Sequence, residues 1–347
     1  MRGFLLLEDG TRFDGRSVGA PGVAVGEAVF TTAMSGYQEV VTDPSFAEQL
    51  VCFTAAMVGN YGVEAARSES DRPHARGVLM RRAGGEAWTS WLAEHGIVAL
   101  DEVDTRSLVL HLREQGAMRA ALVAGEASVP ALLARIRAEP TMAGRALAGG
   151  VSTREPYVVG RGSVRVAVLD FGCKRSIVAR LLAAGAEVHV FPHSASADEV
   201  LAAAPDGVVA SNGPGDPAAL TAETALVREL VGRVPLLGIC LGHQLLAQAL
   251  GLRTFKLRFG HRGANHPVLE LVSGRVLVTA QNHGFAVEGA GAEVTHVSLY
   301  DGTVEGLELR GERARSVQFH PEAGPGPHDA RPLVDGWVEE LRYAAAA

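Results

Sequence analysis

Cys240 is the residue best placed to do chemistry, and its neighbours say how: Gly238-Ile239-Cys240-Leu241-Gly242-His243-Gln244. The apolar run PLLGI (235–239) predicts a buried strand before it, and Leu241 to Leu250 predicts a helix after it. This is the layout of a G-x-S-x-G nucleophile elbow with sulfur in place of oxygen. So tight a strand-to-helix turn brings backbone very close, which Gly238 and Gly242 permit by lacking side chains. A thiol there meets the positive end of the helix, where the dipole and free N–H groups favour thiolate. The Leu241 N–H points at the same place and can hold an oxyanion. An isolated free cysteine is ordinarily a small buried apolar residue; the flanking glycines, strand and helix turn the reading towards a nucleophile.

A thiolate needs a base and a group to orient that base. Phe319-His320-Pro321-Glu322 offers both. In extended chain, residues i and i+2 share a side, so His320 and Glu322 project together. Glu322 would fix the imidazole tautomer and leave the other nitrogen for the thiol. Among 12 histidines, a lone His-Pro-Glu is more readily a surface turn. With Cys240 in the same domain it becomes a Cys-His-Glu triad. Asn212-Gly213-Pro214-Gly215-Asp216-Pro217 follows the strand GVVAS (207–211), and its glycines let backbone N–H groups approach a ligand or an oxyanion. An ordinary Gly/Pro turn has the same letters. Gln281-Asn282-His283-Gly284-Phe285 follows VLVTA (276–280) and by itself reads as a loop.

These residues need a scaffold, and the second half of the chain predicts one. VRVAVLD (164–170) is a continuous apolar run, as a parallel strand covered on both faces requires. Helix (Lys174 to Ala184), strand (EVHVF, 187–191), helix (Asp198 to Ala204), strand (GVVAS), helix (Ala218 to Val231) and PLLGI continue the alternation. That pattern predicts a doubly wound, mostly parallel α/β sheet, whose sites lie at the C-terminal strand ends. RSVQF (315–319) and a helix near Arg331 to Tyr343 close the chain. Residues 1–150 read differently: short strands (Phe4 to Leu7, Ala28 to Thr32, Gln49 to Ala55), then amphipathic stretches at Trp88 to His95, Arg106 to Glu114 and Val129 to Ala138. Strands first and helices later predict a smaller α+β domain. VSTREPYVVGRGS (151–163) is expected as a linker, leaving 164–347 as the second domain.

Composition narrows the class. The 347 residues suit roughly two domains. A net charge of −7 argues against a nucleic-acid partner. No apolar run reaches the ~18 residues of a membrane span, and MRGFLLLEDGTRFDG is too short in apolar residues for a secretory leader. Cys52, Cys173 and Cys240 are odd in number and far apart, which predicts neither a disulfide framework nor a metal cluster, and points to a cytoplasmic location. Lys174 and Lys256 are the only lysines, and no G-x-x-x-x-G-K-[ST] phosphate loop is present.

Together GICLGHQ, NGPGDP, QNHGF and HPE resemble the class I, triad-type glutamine amidotransferases. FTTAMSGYQEVVTDPSF (30–46), GNYGV (59–63), DTRSLVLHLREQGAMR (104–119), DFGCKRSI (170–177) and HPEAGPGPHD (320–329) resemble, more narrowly, the small-subunit family of carbamoyl phosphate synthetase. The resemblance covers nearly the whole chain. It implies Cys240 as nucleophile, His320 as general base and Glu322 as its partner, with L-glutamine hydrolysed to glutamate and ammonia through a glutamyl thioester. It also implies glutamine contacts at Ser45, Gly213, Gly215, Leu241, Gln244, Asn282, Gly284 and Phe285. Because Ser45 comes from the first domain, the resemblance sets the glutamine site near the domain interface. It implies no cofactor or metal in this chain, and a large subunit that uses ATP and Mg, receives the ammonia through a tunnel and makes carbamoyl phosphate for arginine and pyrimidine synthesis. Glu64 in GNYGVE and Cys173 in GCKR depart from the family pattern but lie outside the triad. Three competing readings remain: a glutaminase serving another acceptor, a non-catalytic binding or regulatory subunit on the same fold, and a cysteine peptidase or related hydrolase on the same α/β scaffold.

Overall fold

The computed structural model describes residues 1–289 and 293–346. Contacts divide the chain into two units, Met1–Arg145 with Arg258–Gly263, and Ala146–Leu257 with Ala264–Ala347.

In the first unit the strands β1 (Arg2–Leu7), β2 (Arg12–Ser17), β3 (Gly22–Thr31), β4 (Gln49–Phe53), β5 (Gly77–Leu79), β6 (Val98–Asp101) and β7 (Met118–Ala124) close into a barrel. Its order is β1-β2-β6-β5-β4-β3-β7, with β3, β4, β5 and β6 paired in parallel and the rest antiparallel. The period of two in β1 sorts its residues: Leu5 and Leu7 join Leu50, Cys52, Leu79, Leu100 and Leu122, whereas Phe4 and Leu6 pack against Leu132 and Ile136 of the helix Val129–Ala138. The helices Glu86–Glu94 and Thr105–Gln115 match the amphipathic stretches seen in the sequence. Closure of the strands is the added finding. Ring closure depends on pairings between distant segments, such as β1 with β7, which local periodicity does not encode.

In the second unit, apart from residues 258–263 of β13, lie β8 (Tyr157–Val159), β9 (Val164–Asp170), β10 (Ala186–Pro192), β11 (Gly207–Ala210), β12 (Leu236–Ile239), β13 (Arg253–Glu270), β14 (Val276–Glu288), β15 (Glu293–Ser298), β16 (Val304–Leu309) and β17 (Ala314–Val317). They form one sheet in the order β14-β13-β15-β16-β17-β12-β11-β9-β10-β8. From β17 to β10 the five central strands are parallel; β16 and β8 flank them antiparallel. Each face of β9 serves a different core. Ala167 and Leu169 pack with Leu226, Leu241 and Leu245, while Val164, Val166 and Val168 pack with Ile177, Leu181 and Trp337. That two-sided burial is the doubly wound α/β architecture.

Five segments differ from the sequence reading. Residues expected as linker supply the edge strand β8, which pairs with β10. Gln281 to Phe285, read as a loop, continue β14 without a break. Their polar side chains find partners within the strand: His283 lies 2.7 Å from Gln281 Oε1 and 2.8 Å from the Phe285 carbonyl. The strands β13, β15 and β16 carried too little apolar alternation to be read at all, since β13 is half-exposed along its first residues.

Candidate active site

Four loops meet at one edge of the sheet because they leave the C-terminal ends of neighbouring parallel strands. Lys174 follows β9, Asn212 and Gly213 follow β11, Cys240 follows β12, and His320 follows β17.

Cys240 occupies the elbow itself, between β12 and the helix Leu241–Ala249, at φ 55° and ψ −102°. A non-glycine residue rarely adopts such a backbone, and it stores roughly 1–3 kcal/mol of strain. The surrounding structure holds it there: the Cys240 N–H donates to the Val317 carbonyl at 2.9 Å, and the Gly242 N–H to the Ser211 carbonyl at 3.0 Å. A methyl group on Gly242 would stand 2.0 Å from the Ala210 oxygen, and one on Gly238 would stand 2.7 Å from the Gly242 oxygen. Both glycines are therefore obligatory. The Cys240 thiol is buried and lies 3.6 Å from the Asn282 carbonyl. Leu241 opens the helix, so its N–H has no intrahelical acceptor.

His320 is pinned by its backbone, whose N–H donates to the Ala280 carbonyl at 2.8 Å; this bridge gives way to a turn, where an extended segment was expected. The side chains meet nonetheless. His320 Nδ1 donates to Glu322 Oε1 at 2.7 Å, since a carboxylate can only accept. That fixes the tautomer and leaves Nε2 buried and without a hydrogen-bond partner, beside a thiol close enough to couple with it electrostatically. Burial opposes a charge on His320, but the Glu322 carboxylate and Cys240 outweigh it, so its pKa lies above the ordinary imidazole value. Burial likewise opposes a charge on Glu322, and there Lys174 and His320 pull the pKa well below the usual carboxylate range. A proton is thus held on the imidazole and kept off the carboxylate.

Lys174 was missed by sequence reasoning as a site residue. Its Nζ donates to Glu322 Oε1 at 2.8 Å, with both side chains almost wholly buried. Its own N–H donates to Asn212 Oδ1 at 3.1 Å, linking the β9 and β11 loops. The usable signal was rarity: in a chain with 30 arginines and two lysines, a lysine just after an apolar strand points to a place suited to a compact ammonium.

The other expected residues fall as follows. Gly213 lies where a Cβ would be 2.1 Å from the Phe171 oxygen and 2.8 Å from the Leu241 side chain; Gly215 takes φ +99° and bridges to Ala146. Asn282, Gly284 and Phe285 line β14, with Asn282 against the thiol. Gln244 is buried one helical turn after Cys240 and bonds to the Phe285 carbonyl. Ser45 belongs to the first unit, where its N–H donates to Asp43 Oδ1 at 2.8 Å in the turn Pro44–Phe46.

A buried thiol on a strained elbow, with an imidazole oriented by a carboxylate, is equipped for acyl transfer. Comparison with known proteins gives this chemistry a family. The model for glutamine amidotransferase class-I matches residues 167–339, and that for the carbamoyl-phosphate synthase small chain, CPSase domain, matches residues 5–122. Carbamoyl phosphate synthase small chain of Escherichia coli O6:H1 is 45% identical, with 98% of each chain covered. This chain belongs to the carbamoyl phosphate synthase small chain family. The small chain of Streptomyces avermitilis is 47% identical over 96% of this chain and 94% of its own, and that of Syntrophotalea carbinolica 42% identical over 98% and 97%. Membership makes the chain a glutamine amidotransferase subunit, with the amidotransferase match spanning the parallel sheet and the small-chain match spanning the barrel strands. Among the described residues no helix is long and apolar enough to cross a membrane.

Proposed function

We propose that the chain is the glutaminase of a carbamoyl phosphate synthase, using Cys240, His320 and Glu322 as a catalytic triad. The observation carrying this reading is the 2.7 Å contact from His320 Nδ1 to Glu322, which leaves Nε2 for the Cys240 thiol that couples to the imidazole. The thiolate attacks the side-chain amide carbon of L-glutamine, and the oxyanion rests on N–H groups near Leu241 and Gly213. His320 gives its proton to the departing nitrogen as the C–N bond breaks, releasing ammonia and leaving a glutamyl thioester. Water then attacks the thioester; His320 takes its proton, glutamate leaves, and the thiolate–imidazolium pair is restored. Gly213, Gly215, Leu241, Gln244, Asn282, Gly284 and Phe285 hold the substrate.

The relatives are small chains of a carbamoyl phosphate synthase, and on this reading the acceptor is a large chain that uses ATP and Mg on bicarbonate and receives ammonia by a channel. Channelling has a physical motive, because ammonia released to water at neutral pH is mostly protonated and no longer a nucleophile. The first unit, matched by the small-chain model, is assigned to docking that partner. This chain needs no cofactor of its own, and its free cysteines suit a reducing cytoplasm.

Glutamate release from L-glutamine, measured on the chain paired with its large chain and beside a Cys240→Ala variant, tests the reading. Release that vanishes with the thiol, together with glutamine-dependent carbamoyl phosphate, is the expected result. Equal release by both proteins would remove Cys240 from the mechanism. Glutamate without carbamoyl phosphate would reassign the acceptor.

A further inference from the structure

The Phe285 carbonyl can only accept, and Gln244 faces it at 2.7 Å. The atom facing it must therefore be Nε2, which removes the usual ambiguity of a side-chain amide. The same nitrogen donates its second proton to Gln318 Oε1 at 3.0 Å. Both N–H groups of Gln244 are then committed, and its Oε1 keeps two unused lone pairs. Unlike Nε2 of Gln318, that oxygen is not sealed from solvent. Gln318 is wholly buried, its Nε2 has no hydrogen-bond partner, and its backbone N–H is fixed on the Glu305 carbonyl at 2.9 Å. Turning the Gln318 amide over would set two NH₂ groups against each other. The interior thus tolerates an unpaired N–H on Gln318 to keep an acceptor pointing at Gln244.

We propose that Gln318 is a positioning residue for substrate recognition, locking the Gln244 amide so that Oε1 stands as an acceptor for the α-ammonium group of the substrate. Gln244 lies one helical turn, about 5.4 Å, beyond the nucleophile. Two methylenes separate the reacting amide carbon of glutamine from its α-carbon, so the two ends of the substrate match the two ends of that turn. A reversed Gln244 amide would present N–H groups to a cation. The inference rests on the glutaminase reading and names the group by which that site reads its substrate.

The test compares L-glutamine with glutaramate, the same amide without the α-amine, as substrates of the chain paired with its large chain. Gln318→Leu and Gln318→Met remove the acceptor; Gln318→Glu keeps it. The apolar variants should lose the preference for L-glutamine in kcat/KM by about tenfold or more, through a raised KM for L-glutamine, with glutaramate little changed. Gln318→Glu should hold the preference to within about threefold. An unchanged preference in a folded apolar variant, or equal loss on both substrates, would overturn the proposal. If neither apolar variant folds, loss of the preference in Gln318→Glu overturns it and retention upholds it. Absence of glutamine hydrolysis by the unmutated complex would instead overturn the glutaminase reading.

Discussion

Lys174 and His320 donate to the same oxygen, Glu322 Oε1, at 2.8 and 2.7 Å. One buried carboxylate atom therefore sits between an ammonium and an imidazole, and its second oxygen, Oε2, has no hydrogen-bond partner. The arrangement lets Glu322 stay ionised in the interior while it raises the proton affinity of His320. Lys174 acts on the imidazole in the opposite direction, so the three charges set the charge state of the imidazole jointly.

Removing the carboxylate should release both opposing effects. In Glu322→Gln, burial and Lys174 depress His320 and only Cys240 still favours its charge, so its pKa falls. Glutamine hydrolysis is expected to fall by about 10²–10⁴-fold, with the pH–rate profile displaced towards acid. Steady-state rates from pH 5 to 10 check this.

The same groups make stability depend on pH. His320 has its folded pKa above the ordinary 6.5, so its contribution is complete below that value and is lost as pH rises through the folded pKa. Glu322 lies below 4.5, so its contribution is complete above 4.5 and is lost as pH falls through the folded pKa. The stability gap between wild type and Glu322→Gln should therefore be widest between those two ordinary values and shrink in alkali, as urea unfolding at a series of pH values would show.

Breaking the buried ion pair from the other side has its own signature. Lys174→Leu should cost about 3–5 kcal/mol, because a desolvated carboxylate loses its ammonium. A Lys174→Leu, Glu322→Leu double variant should recover part of that loss, since no charge is then stranded. Denaturant melts of the three proteins separate these outcomes.

Strain at the elbow predicts an opposition between stability and activity. Cys240→Gly relieves the positive φ and Cys240→Ala does not, so the glycine variant should be about 1 kcal/mol more stable than the alanine one, with both inactive. Thermal unfolding compared with glutamate release tests the pair.

Cys52 provides a contrast within one chain. It is fully buried, and burial pushes its thiol up to about 12, so it should resist alkylation in the native protein. Mass spectrometry after iodoacetamide treatment should find Cys52 modified only when the chain has first been unfolded.

The sequence by itself determined what depends on neighbours along the chain. Gly238, Cys240 and Gly242 specified the elbow because only glycine fits where a Cβ would meet the Ala210 or Gly242 oxygen at 2.0–2.7 Å. The apolar runs at β9, β11 and β12 specified buried parallel strands, and so the edge at which the loops gather. The spacing of His320 and Glu322 specified their pairing, even though a turn replaces the expected extension. Only the tertiary structure decided the rest. It closed seven strands into a barrel, carried Gln281 to Phe285 through as strand, and brought Lys174 and Gln318 onto Glu322 and Gln244. Lys174 reaches Glu322 across 148 residues and Gln244 reaches Gln318 across 74, and no local periodicity records such a meeting. Those contacts exist because parallel strands distant in sequence end side by side, and a buried charge or amide must find its partner there.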